Sequence, residues 1–258
     1  MSFRCRLAVP AAILLFFAAL LPHPGAAEEL VVSAAASLTS ALTDIRKAYE
    51  AEHPGLTVFV NFAASGQLLQ QIEAGAPVDV FAPADQVTMD RAAKSGLIDP
   101  ATRADFTAND LMLTVPADDQ GVTCLEDLAG PKVGKLALGE PDAVPAGSYT
   151  KQALDKRGLW ETLSPKMVYG LSVKQALDYV ALGEVDAAFV YATDARMAQK
   201  RVRAVAVMTD HAPIVYPAAV VAACPRKEAA KAFIDYLRGP KGQAVLASYG
   251  FRDPGAAK

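Results

Sequence analysis

Glu29–Leu42 reads ELVVSAAASLTSAL, and the parsing of this stretch decides the fold. ELVVS, at 29–33, is a short apolar, β-branched run of the kind that makes a buried strand. TDIRKAYEAEHPG, at 43–55, carries apolar residues at helical spacing and ends on a Pro-Gly stop. The junction AAASLTSAL, at 34–42, holds three alanines, then Ser37, Thr39 and Ser40, and no charged side chain. A strand that enters a helix through small residues leaves the first N–H groups of that helix uncovered, and those groups attract anions.

The same strand, small-residue loop, helix unit recurs along the chain. Further strands are expected at LTVFVNF (56–62), DVFAP (79–83), DLMLTVP (110–116), KLALG (135–139), KMVYG (166–170), AAFVY (187–191), VRAVAVM (202–208) and YPAAVVAA (216–223). Helical spacing is expected over 38–53, 66–74, 86–95, 147–157, 172–182 and 227–237. Such alternation predicts an α/β protein with largely parallel sheets, whose ligands sit where strand ends lead into helix starts. Two extended segments, 109–116 and 214–223, each carry a proline and are read as crossovers between two lobes. Lobe I is then 28–108 with 217–258, and lobe II is 109–216. One continuous sheet is the alternative that this pattern leaves open.

Residues 1–27 stand apart. Arg4 and Arg6 precede an apolar stretch, Leu7–Leu21, and a Gly25-Ala26-Ala27 cleavage pattern, which together predict a secretory signal peptide. The apolar run is short for a bilayer span. Without Arg4 and Arg6 the chain keeps 23 basic and 28 acidic side chains, a formal charge of −5. Mild acidity argues against nucleic acid or an anionic membrane as partner. It also means that an anion site here works by local arrangement. Cys124 and Cys224 remain after Cys5 leaves with the leader. In an oxidising compartment they either pair or stay as two separate thiols.

Four more corners resemble the first: Ser65-Gly66 in NFAASGQLLQQI, Pro145–Ser148 in LGEPDAVPAGSYTKQAL, Ser172-Val173 in VYGLSVKQAL, and Tyr191 with Thr193 in AFVYATDARMA. Each corner alone reads most simply as a capped helix start. Their shared neutrality points further, because none places Lys, Arg or His at the facing position. A cleft of neutral donors suits a fully deprotonated oxyanion, whereas a protonated one would leave its O–H without an acceptor.

Enzyme motifs are weak. Ser148–Lys151 matches S-x-x-K but lacks the companion motifs, and Gly130–Lys135 is one residue short of a phosphate loop. Only His53 and His211 remain outside the leader, too few for a zinc site or a His-centred triad to be expected. Asp79 and Asp85 are read as capping or loop-bonding carboxylates, and Tyr149 and Trp160 as packing residues.

SAAASLTSAL (33–42), NFAASGQLLQQIEAGAPVDVFAPADQVTMD (61–90), GEPDAVPAGSYTKQAL (139–154), LSPKMVYGLSVKQAL (163–177), FVYATDA (189–195) and FIDYLRGPKGQAVLASYGF (233–251) together resemble the periplasmic molybdate-binding proteins of ABC transporters. The resemblance spans nearly the whole chain after residue 27. It implies the two-lobed type II binding-protein fold and a soluble, monomeric periplasmic carrier, not an enzyme, with no cofactor. That carrier would pass molybdate, or tungstate, to a membrane permease; sulfate or another tetrahedral oxyanion is the alternative ligand. By the same resemblance Ser37 and Ser65 supply hydroxyls, Ala146 and Val173 supply amides and Tyr191 supplies its phenol, with no direct protein ligand to the metal. Family members often have a serine run where this chain has AASG, so at that corner the match rests on Ser65 alone.

Overall fold

The structure, a computed structural model, describes residues 28–256; the expected leader lies outside the described residues. Its strands are β1 (Glu28–Ala35), β2 (Leu56–Ala63), β3 (Val80–Ala82), β4 (Ala104–Ala108), β5 (Leu111–Pro116), β6 (Leu136–Gly139), β7 (Met167–Gly170), β8 (Ala187–Tyr191), β9 (Val202–Met208) and β10 (Val215–Val220). Its α-helices are α1 (Thr39–Glu52), α2 (Ser65–Glu73), α3 (Gln86–Lys94), α4 (Pro145–Lys156), α5 (Trp160–Leu163), α6 (Val173–Ala181), α7 (Ala192–Met197), α8 (Lys227–Arg238) and α9 (Pro240–Ser248).

The strands form two five-stranded sheets, in the orders β2-β1-β3-β10-β4 and β7-β6-β8-β5-β9. The two sheets follow one plan. β1 runs parallel to β2 and β3, and β6 runs parallel to β7 and β8. An antiparallel strand then joins each sheet: β10 lies between β3 and β4, and β5 lies between β8 and β9. The inner strands read as unbroken apolar runs because helices cover them; all five residues of β8 are buried. The chain passes from the first sheet to the second between β4 and β5 and returns between β9 and β10.

The six helices expected from spacing are all present, with ends shifted by two residues at most. Punctuation sets several of these ends. Asp85 caps α3 by accepting from Thr88 N, and Gly96 follows that helix with a left-handed φ of 68°. The amphipathic α8 buries Phe233, Ile234 and Leu237. Tyr49 of α1 meets Phe233 and Tyr236 edge-on at 5.1 and 4.9 Å, which ties the C-terminal helices to the first sheet. A second aromatic group sits where the chain crosses: Tyr216 packs against Phe106, Tyr191 and Phe251.

The possible Cys124–Cys224 disulfide is corrected: both thiols are free. Cys224, just after β10, is buried and donates through Sγ to Asp79 Oδ1 at 3.1 Å. Burial and that carboxylate push the thiol up to about 11. Asp79 also accepts from Val31 N and from Arg226 Nη2. Cys124 lies in the loop after β5, where its amide donates to Asp127. Each cysteine is thus engaged beside a different sheet.

Candidate functional site

The five sequence-predicted residues come together. Ser37, Ser65, Ala146, Val173 and Tyr191 line one small pocket whose remaining lining is five alanines, Val144 and Pro145. No charged side chain belongs to this lining. The alanines answer the opening stretch: Ala35, Ala36, Ala63, Ala64 and Ala84 bring no bulky or charged side chain to the pocket.

Ser37 occupies a single 3-10 turn, Ala36–Leu38, between β1 and α1. It does not cap α1, which has no side-chain cap bond. Its Oγ lies 3.0 Å from Tyr216 Oη. The neighbouring Thr39 hydroxyl is committed to Ala36 O at 2.6 Å, which explains why Ser37 and not Thr39 is available. Ser65 opens α2 and does not cap it either. Its Oγ accepts from Ala84 N at 3.0 Å, so its own proton remains for another partner.

Ala146 and Val173 lie in the first turns of α4 and α6. First-turn amides have no acceptor in their own helix and sit at the positive end of its dipole. Pro145 at the start of α4 fits a position where no N–H is needed. Ser172 is a genuine cap, accepting from Gln175 N at 3.2 Å, which leaves the Val173 amide uncovered by it.

Tyr191 closes β8 and precedes α7. It is almost fully buried, and its Oη has no hydrogen-bond partner among the described residues. Such a group costs on the order of 1–3 kcal/mol unless something completes it. Burial first, and Tyr216 second, hold its phenol well above the ordinary range, so it stays a neutral donor. Behind it, buried Asp194 pairs with Lys174 of α6 at 2.7 Å. Burial raises the Asp194 carboxyl and Lys174 opposes that shift.

The two halves touch beside the pocket. Gly66 N of α2 donates to Ala143 O, just before α4, at 3.0 Å. A larger cavity of about 390 Å³ adjoins at Val144 and Pro145, lined mostly by carbon, and includes none of the five residues.

Other sequence candidates are used elsewhere. Lys151 pairs with Asp155 at 2.5 Å and lies over the Trp160 ring, so it does not serve Ser148 as a base. Asp85 holds Thr88 through both oxygens. His53 Nδ1 donates to Tyr49 O at 2.8 Å, at the end of α1. Among the described residues no group of three His, Cys, Asp or Glu could hold a metal ion, and no helix is long and apolar enough to cross a membrane. Sequence reasoning missed Tyr216 and Asn109, which stand behind Ser37. No local pattern marks them, because their place depends on β10 inserting between strands distant in sequence.

The sequence model for the family described as bacterial extracellular solute-binding proteins matches residues 30–252. The molybdate-binding protein ModA of Escherichia coli is 41% identical over 233 residues, covering 86% of this chain and 88% of that protein. A putative ABC transporter substrate-binding lipoprotein of Bacillus subtilis, YvgL, is 40% identical over 225 residues, covering 86% and 85%. Among solved structures, the substrate-binding domain of a putative molybdenum ABC transporter from Clostridium difficile superposes with a TM-score of 0.68 at 36% identity, covering 87% of this chain and 98% of that one.

Proposed function

This chain belongs to the family of bacterial extracellular solute-binding proteins, and from that premise we propose that it captures molybdate in the periplasm and delivers it to the permease of an ABC transporter. Tungstate, of the same charge and nearly the same size, is a ligand too. The protein works as a monomer, carries no cofactor and turns nothing over.

The observation that carries this reading is the pocket itself. The residues that bear a buried phenol with no partner among the described residues, two serine hydroxyls and two helix-start amides line one space with no cation in its lining. A tetrahedral dianion offers every one of these donors an acceptor. Hydrogen bonds to a charged group contribute roughly 1.5–3 kcal/mol each. Burying a dianion among neutral dipoles is feasible when each oxygen is met in this way.

Residues 28–108 with 217–258 form lobe I, and residues 109–216 form lobe II. Ser37 and Ser65 then reach the ligand from lobe I, and Ala146, Val173 and Tyr191 reach it from lobe II. A ligand held from both sides binds the closed arrangement better and shifts the population toward it. The permease reads that closed shape.

Isothermal titration of the mature protein with molybdate, tungstate, sulfate and phosphate tests the reading. Tight one-to-one binding of the first two, with sulfate much weaker, is expected. Sulfate binding as tightly as molybdate, or no binding of any of the four, refutes it.

A further inference from the structure

Ser37 can meet an oxyanion only if its proton points at the ligand, and the structure contains a device that controls this. We infer that Tyr216 and Asn109 are positioning residues that fix the Ser37 hydroxyl as a donor and so set the preference for fully deprotonated anions. The inference rests on the proposed oxyanion site.

The Asn109 end of this chain of bonds has a fixed direction. Asp110 N donates to Asn109 Oδ1 at 3.0 Å, and a backbone N–H only donates, so the orientation of the Asn109 amide is determined. Nδ2 therefore faces the other way and donates to Thr193 Oγ1 at 2.9 Å and to Tyr216 Oη at 3.3 Å. Tyr216 Oη accepts there, and the relay gives its single proton to Ser37 Oγ at 3.0 Å, a contact in which either oxygen can be the donor. Ser37 Oγ accepts in turn, and its own proton is left for the pocket. Tyr216 and Asn109 are both buried, so water does not scramble this order. Ser65 reaches the same state by a shorter route, with Ala84 N supplying the bond that it accepts.

The relay also spans the crossover. Asn109 lies between β4 and β5, Tyr216 lies on β10, and Thr193 lies beside Tyr191. With one lone pair of Ser37 taken by Tyr216 and its proton aimed at the ligand, Ser37 meets the anion as a donor, and an anion that carries an O–H gains less there. Removing the Tyr216 hydroxyl frees that lone pair and lets Ser37 turn to accept.

The test compares Tyr216→Phe, Ser37→Ala and the double variant by calorimetric titration with molybdate and with phosphate. Tyr216→Phe keeps the ring against Phe106 and Phe251. Its expected effect is a loss of about 3- to 10-fold in molybdate affinity and a narrower molybdate-to-phosphate ratio, with no further molybdate loss once Ser37 is already Ala. Asn109→Leu, which removes the orienting amide and leaves Tyr216 in place, moves the ratio the same way. An equal loss from Tyr216→Phe with and without Ser37, or an unchanged ratio in both variants, overturns the relay. Full molybdate affinity in Ser37→Ala, or no binding by the unaltered protein, would instead overturn the oxyanion site itself.

Discussion

Gly66→Ala separates closure from folding. Gly66 is the second residue of α2 with an ordinary helical backbone, so nothing within its own helix requires glycine there. Alanine is favoured over glycine in a helix by up to about 1 kcal/mol, and stiffening the unfolded chain adds in the same direction. The obstacle lies across the cleft. An added Cβ would stand 2.8 Å from Ala143 O and 3.0 Å from Ala143 Cα, both backbone atoms that cannot swing aside. The lobes must part by several tenths of an ångström, and the Gly66–Ala143 hydrogen bond stretches with them. Overpacking of this kind costs about 1–3 kcal/mol, here charged to the closed state alone. At about 1.4 kcal/mol per decade, molybdate affinity falls roughly 5- to 150-fold. Thermal unfolding without ligand should meanwhile hold steady or rise, and the ligand-induced rise in Tm should shrink. Unchanged affinity in calorimetry refutes the reasoning, because the lobes would then not meet at Gly66 when ligand is bound. A fall in the ligand-free Tm refutes it too, because Gly66 would then serve the fold.

Three further outcomes are expected. Ser37→Ala weakens molybdate binding by about 10- to 100-fold, and a titration with unchanged affinity removes Ser37 from the site. Gly147→Ala, unlike Gly66→Ala, should destabilise the protein itself: its Cβ would fall 1.9 Å from Gly139 O within one lobe, so denaturant unfolding should lose about 3 kcal/mol or more with or without ligand. Molybdate affinity should stay level between about pH 7 and 9. Burial raises the Tyr191 pKa, so the phenol remains protonated across that window, and its donor is lost only as pH climbs through the raised value; a tenfold drop by pH 9 in titrations at constant ionic strength contradicts this.

Much of the fold was legible because punctuation and periodicity are local. The α3 helix starts at Asp85 and stops before Gly96, and both signals lie in the residues themselves. What escaped was either short or non-local. The five-residue β4, with Asp105 exposed near its start, and the six-residue α7 are too brief for periodicity to register. The corner residues were legible by composition and resemblance. The bonds that aim them were not: Ser37 meets Tyr216 across 179 residues of chain, and Ser65 meets Ala84 on a neighbouring loop. The two open readings of the cysteines could not be separated for the same reason, since Cys224 answers to Asp79, which sequence distance hides. The S-x-x-K match lacks its companion motifs in the sequence, and Lys151 faces along its own helix to Asp155.

The insertion of β10 between β3 and β4 has a consequence for the order in which the chain acquires its structure. Every strand of the second sheet lies within 111–208, so that sheet is complete as soon as residue 208 is available. The first sheet is not: β4 has no neighbour in it until Val215–Val220 arrives, and Tyr49 waits longer for Phe233. Contacts so distant in sequence form slowly, because loop closure must precede their gain. A chain emerging N-terminus first therefore completes its middle before its beginning. Pulsed hydrogen exchange during refolding should protect the amides of β6 and β8 ahead of those of β1 and β3, and simultaneous protection of both sheets would show that the lobes nucleate together.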